Sequence, residues 1–341
     1  MSEFQPILDN LAKEYGFTQL SFVREPEKGI STKNLIVEDK SGNTYFIKKH
    51  KRADLLKIEN SERSASFVKD HSDVPVVLPI KNKKGELHTD VDGEFYSIFP
   101  YIAHAEYHSS EAERIAFTYH LGEMLGKIHA VSRTTAVPES IKRISAWVSD
   151  SKEESLSKFE KMQKEINEKE VKDEYDNKAL AFIELKTNLL QKRTFVEQEK
   201  ELTICHGDYH TANLLFNEAG VIIGVCDWDI SGMENPYNEF IRSFNMCVVR
   251  RGFDHLEDKR DVANAFLRGY TSTCGFTFEL GELEYAIEAW YQKLLTLTWP
   301  LSDHYYLEHF KTDPSLDSEF NKVVFLRDRR GELLALISKS L

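Results

Sequence analysis

The sequence predicts an α+β protein in two parts, a small antiparallel sheet carrying one helix and then a larger, mainly helical part. Three observations predict it. At 341 residues the chain exceeds a minimal single core and suits two domains. Short strand-like runs bounded by turn formers fill the first 102 residues, and helical spacing sets in from Ser109 onward. A single hairpin pattern then interrupts the helical half.

The elements follow in order. Ile7, Leu8, Leu11 and Tyr15 stand at helical spacing, which predicts an opening helix over 6–15. The runs 17–23, 34–37 and 44–48 read as strands, separated by Glu25-Pro26-Glu27-Lys28-Gly29 and Asp39-Lys40-Ser41-Gly42-Asn43, both rich in turn formers. Residues 54–71 carry Leu55, Ile58, Phe67 and Val68 among polar residues, as in a helix packed on that sheet. Two further strands are expected over 74–80 and 94–102.

The second part opens with Ile115, Tyr119, Met124, Leu125 and Ile128 near the 3.6-residue period. Residues 150–200, dense in Lys and Glu, read as solvated amphipathic helices. Leu214-Leu215-Phe216, a turn over 217–220, and 221–226 form the hairpin. Helices return over 255–341, and no internal repeat is present.

Composition excludes some function classes. With 41% apolar and 29% charged residues the chain is neither disordered nor fibrous. A net charge of -12 argues against a general nucleic-acid binder, which needs clustered Lys and Arg, and is compatible with a cationic substrate. Cys205, Cys226, Cys247 and Cys274 form no C-x-x-C pair and read as reduced thiols. Without a basic leader or a run of about 18 uncharged apolar residues, a cytoplasmic protein with no membrane partner is expected.

The chemistry concentrates at the hairpin. With its centre near Gly220, Asn213 and Asp227 lie seven residues to either side and converge at its open end. A carboxylate and an amide oxygen are hard ligands suited to Mg2+. Asp208 precedes Asn213 by five positions, the H-x-D-x-x-x-x-N interval in which the Asp orients or deprotonates an acceptor hydroxyl and the Asn holds metal.

These words, His206-Gly207-Asp208-Tyr209-His210-Thr211-Ala212-Asn213 and Val225-Cys226-Asp227-Trp228-Asp229, resemble the aminoglycoside phosphotransferase and choline kinase superfamily. In feel the chain is similar to the spectinomycin phosphotransferase and homoserine kinase branches. The resemblance implies a two-lobed protein-kinase-like fold, with a nucleotide-binding lobe over 1–102 and a helical lobe over 103–341. It implies ATP, with GTP as an open alternative, and Mg2+ as cofactors, a small hydroxylated acceptor, Asp208 as catalytic base, and Asn213 and Asp227 as metal ligands.

The same resemblance implies a lysine for the phosphates and a helix glutamate to pair with it. Tyr45-Phe46-Ile47-Lys48 ends a strand, and alternation favours Lys48 over Lys49. Glu62 is the preferred pairing acid, with Glu59 almost one turn earlier as the alternative. The segment 28–34 stands where the family covers the phosphates, so Ser31 and Thr32 are candidate contacts, although the loop holds a single glycine. Ile98-Phe99-Pro100-Tyr101-Ile102 resembles the linker that meets adenine, which makes Phe99 and Tyr101 nucleotide-site candidates. Glu239 is expected to anchor a helix.

Other readings stand beside this one. His206, Asp208, His210, Asp227 and Asp229 together contain the ligand types of a two-metal hydrolase. A silent nucleotide-binding regulatory protein is a second alternative. A protein kinase fits less well, because Asp227-Trp228-Asp229 replaces D-F-G and no A-P-E segment occurs. Trp290, Trp299, Asp303, Tyr305 and Glu308 are candidates for an amine pocket, or for core and surface.

Overall fold

The structure, a computed structural model, describes residues 3–26, 34–50, 54–105, 111–144, 150–195, 201–249 and 256–339. In chain order its first elements are α1 (Gln5–Tyr15), β1 (Leu20–Arg24), β2 (Leu35–Asp39), β3 (Thr44–Lys49), α2 (Leu55–His71), β4 (Thr89–Val91) and β5 (Glu94–Pro100). Then come α3 (Glu111–Thr134), α4 (Lys152–Asn167), α5 (Glu174–Gln191), β6 (Thr203–Cys205), β7 (Leu214–Phe216), β8 (Ile222–Val225) and β9 (Gly232–Glu234). The chain ends in α6 (Pro236–Phe244), α7 (Arg260–Thr273), α8 (Leu280–Thr296), α9 (Leu301–Leu307) and α10 (Ser315–Ser338).

Two compact units interleave along the chain. The first gathers Met1–Ser110, Thr134–Lys142 and His206–Gly232, and the second Glu111–Arg133, Arg143–Cys205 and Met233–Leu341. The division differs from a single boundary near residue 102 because the β7–β8 hairpin is bonded into the first unit. Val77 N–H donates to Val225 O at 3.0 Å, Val225 N–H to Pro75 O at 2.8 Å, and Ala105 N–H to Phe216 O at 2.9 Å.

In the first unit the sheet order is β1-β2-β3-β5-β4, antiparallel throughout. Its period-two alternation separates two faces. Leu35, Val37, Ile47, Tyr96, Ile98 and Val91 point into a core that α1 completes with Leu8 and Leu11. Burying each such side chain contributes about 1.5–3 kcal/mol. Pro6 lies in the first turn of α1, and Gly16 ends the helix at φ 84, its amide donating to Ala12 O. Asp54 caps α2 by accepting from Lys57 N–H at 3.3 Å.

Two strand expectations change. Residues 74–80 make only an isolated bridge, Val76 to Val225, since Pro75 and Pro79 have no amide hydrogen to give a ladder. The partner of β5 is instead β4, reached through the two-residue turn Asp92-Gly93, with φ 55 and 82, which suits a tight hairpin.

The second unit is helical, with β6 paired to β9. Capping boxes at Ser151/Glu154 and Asp173/Asp176 start α4 and α5. Helices α3 and α7 touch backbone to backbone, because a Cβ on Gly122 would lie 2.0 Å from Phe266 O and one on Gly269 2.0 Å from Tyr119 O. Glu239 on α6 is buried and meets His129 Nε2 at 2.9 Å, while His129 Nδ1 meets the Tyr270 hydroxyl at 2.8 Å. All four cysteines are free thiols. Among the described residues no helix is long and apolar enough to cross a membrane.

Candidate active site

The site is built within the first unit from the segment after β6, the β7–β8 hairpin and the end of β3. Gly207 adopts φ 84, and a Cβ there would lie 2.3 Å from Ile230 O, so only glycine fits this turn. Buried His206 locks the segment to the hairpin: its Nδ1 accepts from Asp208 N–H at 3.2 Å, which leaves Nε2–H to donate to Cys226 O at 2.8 Å. Trp228 packs its ring 4.6 Å from that imidazole and donates Nε1–H to Val225 O. With both nitrogens of His206 engaged, the hydrolase reading loses one of its ligands.

Asp208 is partly exposed and stands 3.5 Å from His210 Nε2. Asn213 Nδ2 donates to Asp208 O at 2.9 Å, which ties the two residues through backbone and leaves Asn213 Oδ1 outside that bond. A bulge near Leu215/Phe216 shifts the hairpin register by one, so Asn213 stands opposite Cys226, whose N–H donates to Asn213 O at 2.8 Å. Asp227 follows at once. Its φ of 61, left-handed for a non-glycine residue, costs about 1 kcal/mol or more and turns the chain sharply at the carboxylate.

Lys48 closes the site. Its Nζ lies 2.6 Å from Asp227 Oδ1 and 2.8 Å from Asp229 Oδ1, whereas Lys49 pairs with Glu94 at 3.2 Å. Burial works against the Lys48 charge, but the Asp229 and Asp227 carboxylates outweigh it and hold the ammonium protonated above the ordinary lysine range. Crowding by protein raises the Asp227 carboxyl, and the Lys48 ammonium more than reverses this, leaving it below the usual carboxylate range. Two carboxylates already sharing a cation, beside an amide oxygen, are a donor set that fits Mg2+.

The expected pair between Lys48 and a helix glutamate is not made. Glu62 faces His88, whose Nδ1 lies 3.1 Å from both of its oxygens, and Glu59 pairs with Arg63 at 3.1 Å. The reason is sheet geometry: His88 directly precedes β4, whose register against β5 sets it where α2 presents Glu62. Phe99 packs on Phe46 at 6.3 Å, and Tyr101 N–H is taken by Thr44 O at 3.3 Å. Ser31 and Thr32 lie outside the described residues.

Sequence reasoning missed the Lys48–Asp229 contact and His88. The Asp92-Gly93 dipeptide was the available signal for His88, since it implies β4 and fixes the register. In the second unit, Trp290 and Asp303 are buried, and the hydroxyl of the partly exposed Tyr305 donates to Asp176 Oδ1 at 2.9 Å.

The model of the phosphotransferase enzyme family matches residues 23–283. No curated protein matches the chain in sequence. Among solved structures, spectinomycin phosphotransferase in complex with ADP and spectinomycin is similar at 15% identity, covering 93% of this chain and 97% of that one, with a TM-score of 0.60. A microcompartment-associated aminopropanol kinase is similar at 15% identity over 94% and 96%, TM-score 0.59. The macrolide 2'-phosphotransferase of Brachybacterium faecium is similar at 15% identity over 92% and 98%, TM-score 0.51. At these identities the likeness is one of fold, the two-lobed kinase-like fold.

Proposed function

The chain belongs to the phosphotransferase enzyme family and is a small-molecule kinase, and we propose that it transfers the γ-phosphoryl group of ATP to a hydroxyl of an amine-bearing acceptor. The acceptor class includes spectinomycin-like or aminoglycoside antibiotics, amino alcohols and homoserine-like metabolites. Two similar structures support the class, one carrying spectinomycin and one named for aminopropanol, whose name holds both an amine and a hydroxyl. The net charge of -12 favours a cationic acceptor over an anionic one.

One observation carries the reading. Lys48, Asp227 and Asp229 converge within contact distance while Asp208 and Asn213 are tied into the same hairpin. Asp208 orients the acceptor hydroxyl and takes its proton as the new bond to phosphorus forms. Lys48 binds the α- and β-phosphates, and Glu62 pairs with it once the nucleotide is held. Asn213 and Asp227 hold Mg2+, which when bound neutralises charge on the triphosphate. The linker backbone at Phe99 and Tyr101 meets the adenine edge, and Ser31 and Thr32 contact the phosphates. The residues do little covalent work, so positioning and electrostatics supply the rate.

A panel of amines, amino acids and sugars, scored by ADP release with Mg·ATP, tests the reading. Acceptor-dependent release with an amino alcohol or aminocyclitol supports it. Mg-dependent ATP binding with no transfer to any acceptor favours the silent regulatory protein instead.

A further inference from the structure

Lys48 stands opposite Ser97 across the β3–β5 pair. On the other side of β5, the register that sets Thr89 against Tyr96 brings His88 alongside the same serine. Directly opposed residues share a sheet face, so Lys48, Ser97 and His88 line one strip. His50, two positions beyond Lys48, joins it through a 2.9 Å bond between its Nε2 and Ser97 Oγ. Helix α2 delivers Glu62 to this strip. One largely buried carboxylate thus serves a strip with three groups able to carry positive charge, Lys48, His50 and His88, and His88 holds it, the His88 and Glu62 side chains being 13% and 15% exposed.

We propose that His88 is a positioning residue of the nucleotide site: it competes with Lys48 for Glu62, and loss of its proton releases Glu62 to Lys48, freeing Lys48 from Asp227 and Asp229 to meet the phosphates. This rests on the reading of Lys48 as the phosphate anchor. The His88 backbone is fixed, since Asn82 Nδ2 donates to His88 O at 3.0 Å and also to Thr89 Oγ1 and Glu86 Oε2. Any movement of the imidazole after Glu62 is thereby limited to rotation about its own side-chain bonds.

The groups around His88 set the direction. The bond to Glu62 strengthens its hold on the proton, burial opposes this, and the charges of Glu62, Glu86 and Glu59 add to the rise. The Phe95 ring closes the site edge-on at 5.7 Å. His50 does not compete, because burial pulls it down to about 4 against the pull of Asp229, with Lys48 and His88 lowering it further. Release of Glu62 then falls above the ordinary histidine range of about 6.5.

The test is the dissociation constant of Mg·ADP on the full chain from acidic to mildly alkaline pH, for wild type, His88→Phe and His88→Gln. Titration of the nucleotide itself is common to all three and cancels in the comparison. If binding shifts the His88 midpoint by one unit, wild type gains about tenfold more affinity across the interval than either variant. Parallel profiles with measurable binding overturn the proposal and leave the anchor reading intact. Loss of Mg·ADP binding in wild type at every pH removes the anchor reading and the proposal together. Should the variants not fold, the His88 ring resonances of wild type decide: the midpoint must fall on saturation with Mg·ADP and in Glu62→Gln, and an unmoved midpoint overturns the proposal.

Discussion

Lys48 Nζ donates to Asp227 Oδ1 at 2.6 Å, joining residues 179 positions apart. The contact makes a strand-end lysine the counterion of a carboxylate that a hairpin carries beside Asn213. It also means that a cation of the protein itself stands where a metal-bound nucleotide must bring its own.

That occupancy predicts the behaviour of Lys48→Met. Without the ammonium, Asp227 and Asp229 lose the cation they share, and Mg2+ alone becomes a better ligand. Thermal melting should show a larger stabilisation by Mg2+ in Lys48→Met than in wild type, while Mg·ADP affinity falls at least about tenfold by loss of a charge-assisted phosphate contact. Equal Mg2+ responses would contradict the shared-cation account.

Gly207→Ala places a methyl group 2.3 Å from Ile230 O and forces alanine to φ 84. Left-handed strain and overpacking together should cost roughly 2–4 kcal/mol. Denaturant unfolding measures it, and a change under about 0.5 kcal/mol, the range of an ordinary surface substitution, would show that the loop relaxes freely.

A pH prediction comes from the second unit. Lys186 is buried between the Phe159 and Phe182 rings, its Nζ donating to Leu297 O at 2.6 Å, and burial pulls it down to about 7 against a weaker pull from Glu319. The unfolded chain holds this proton up to about 10.4, so between about 7 and 10 it binds more protons than the folded chain. Stability from this group therefore rises with pH across that window and is lost as pH falls toward 7. Lys186→Met should flatten the rise in urea unfolding, and an unchanged slope would contradict the buried charge.

Much of this was legible in the sequence where local pattern decides. Alternation favoured Lys48 over Lys49, and the cross-strand register aligns Lys48 with Ser97 while Lys49 reaches Glu94. The hairpin was legible too, although its turn is centred on residue 219 and not on Gly220, so that even after the bulge Asn213 meets Cys226 and Asp227 falls one residue beyond. Long-range pairing was not: whether Glu62 meets Lys48 or His88 depends on a five-stranded register, not on any window of sequence. Residues 74–80 had the apolar run of a strand, but their prolines prevented the ladder.

The measurement that bears most directly on the account is turnover of Asp208→Ala with Mg·ATP and the best acceptor of the panel, read together with its Mg·ADP affinity. Asp208 is assigned to the acceptor hydroxyl, so turnover should fall by about 10² to 10⁴ while nucleotide affinity stays within about threefold. Turnover at the wild-type rate would contradict the assignment of the reaction to this loop.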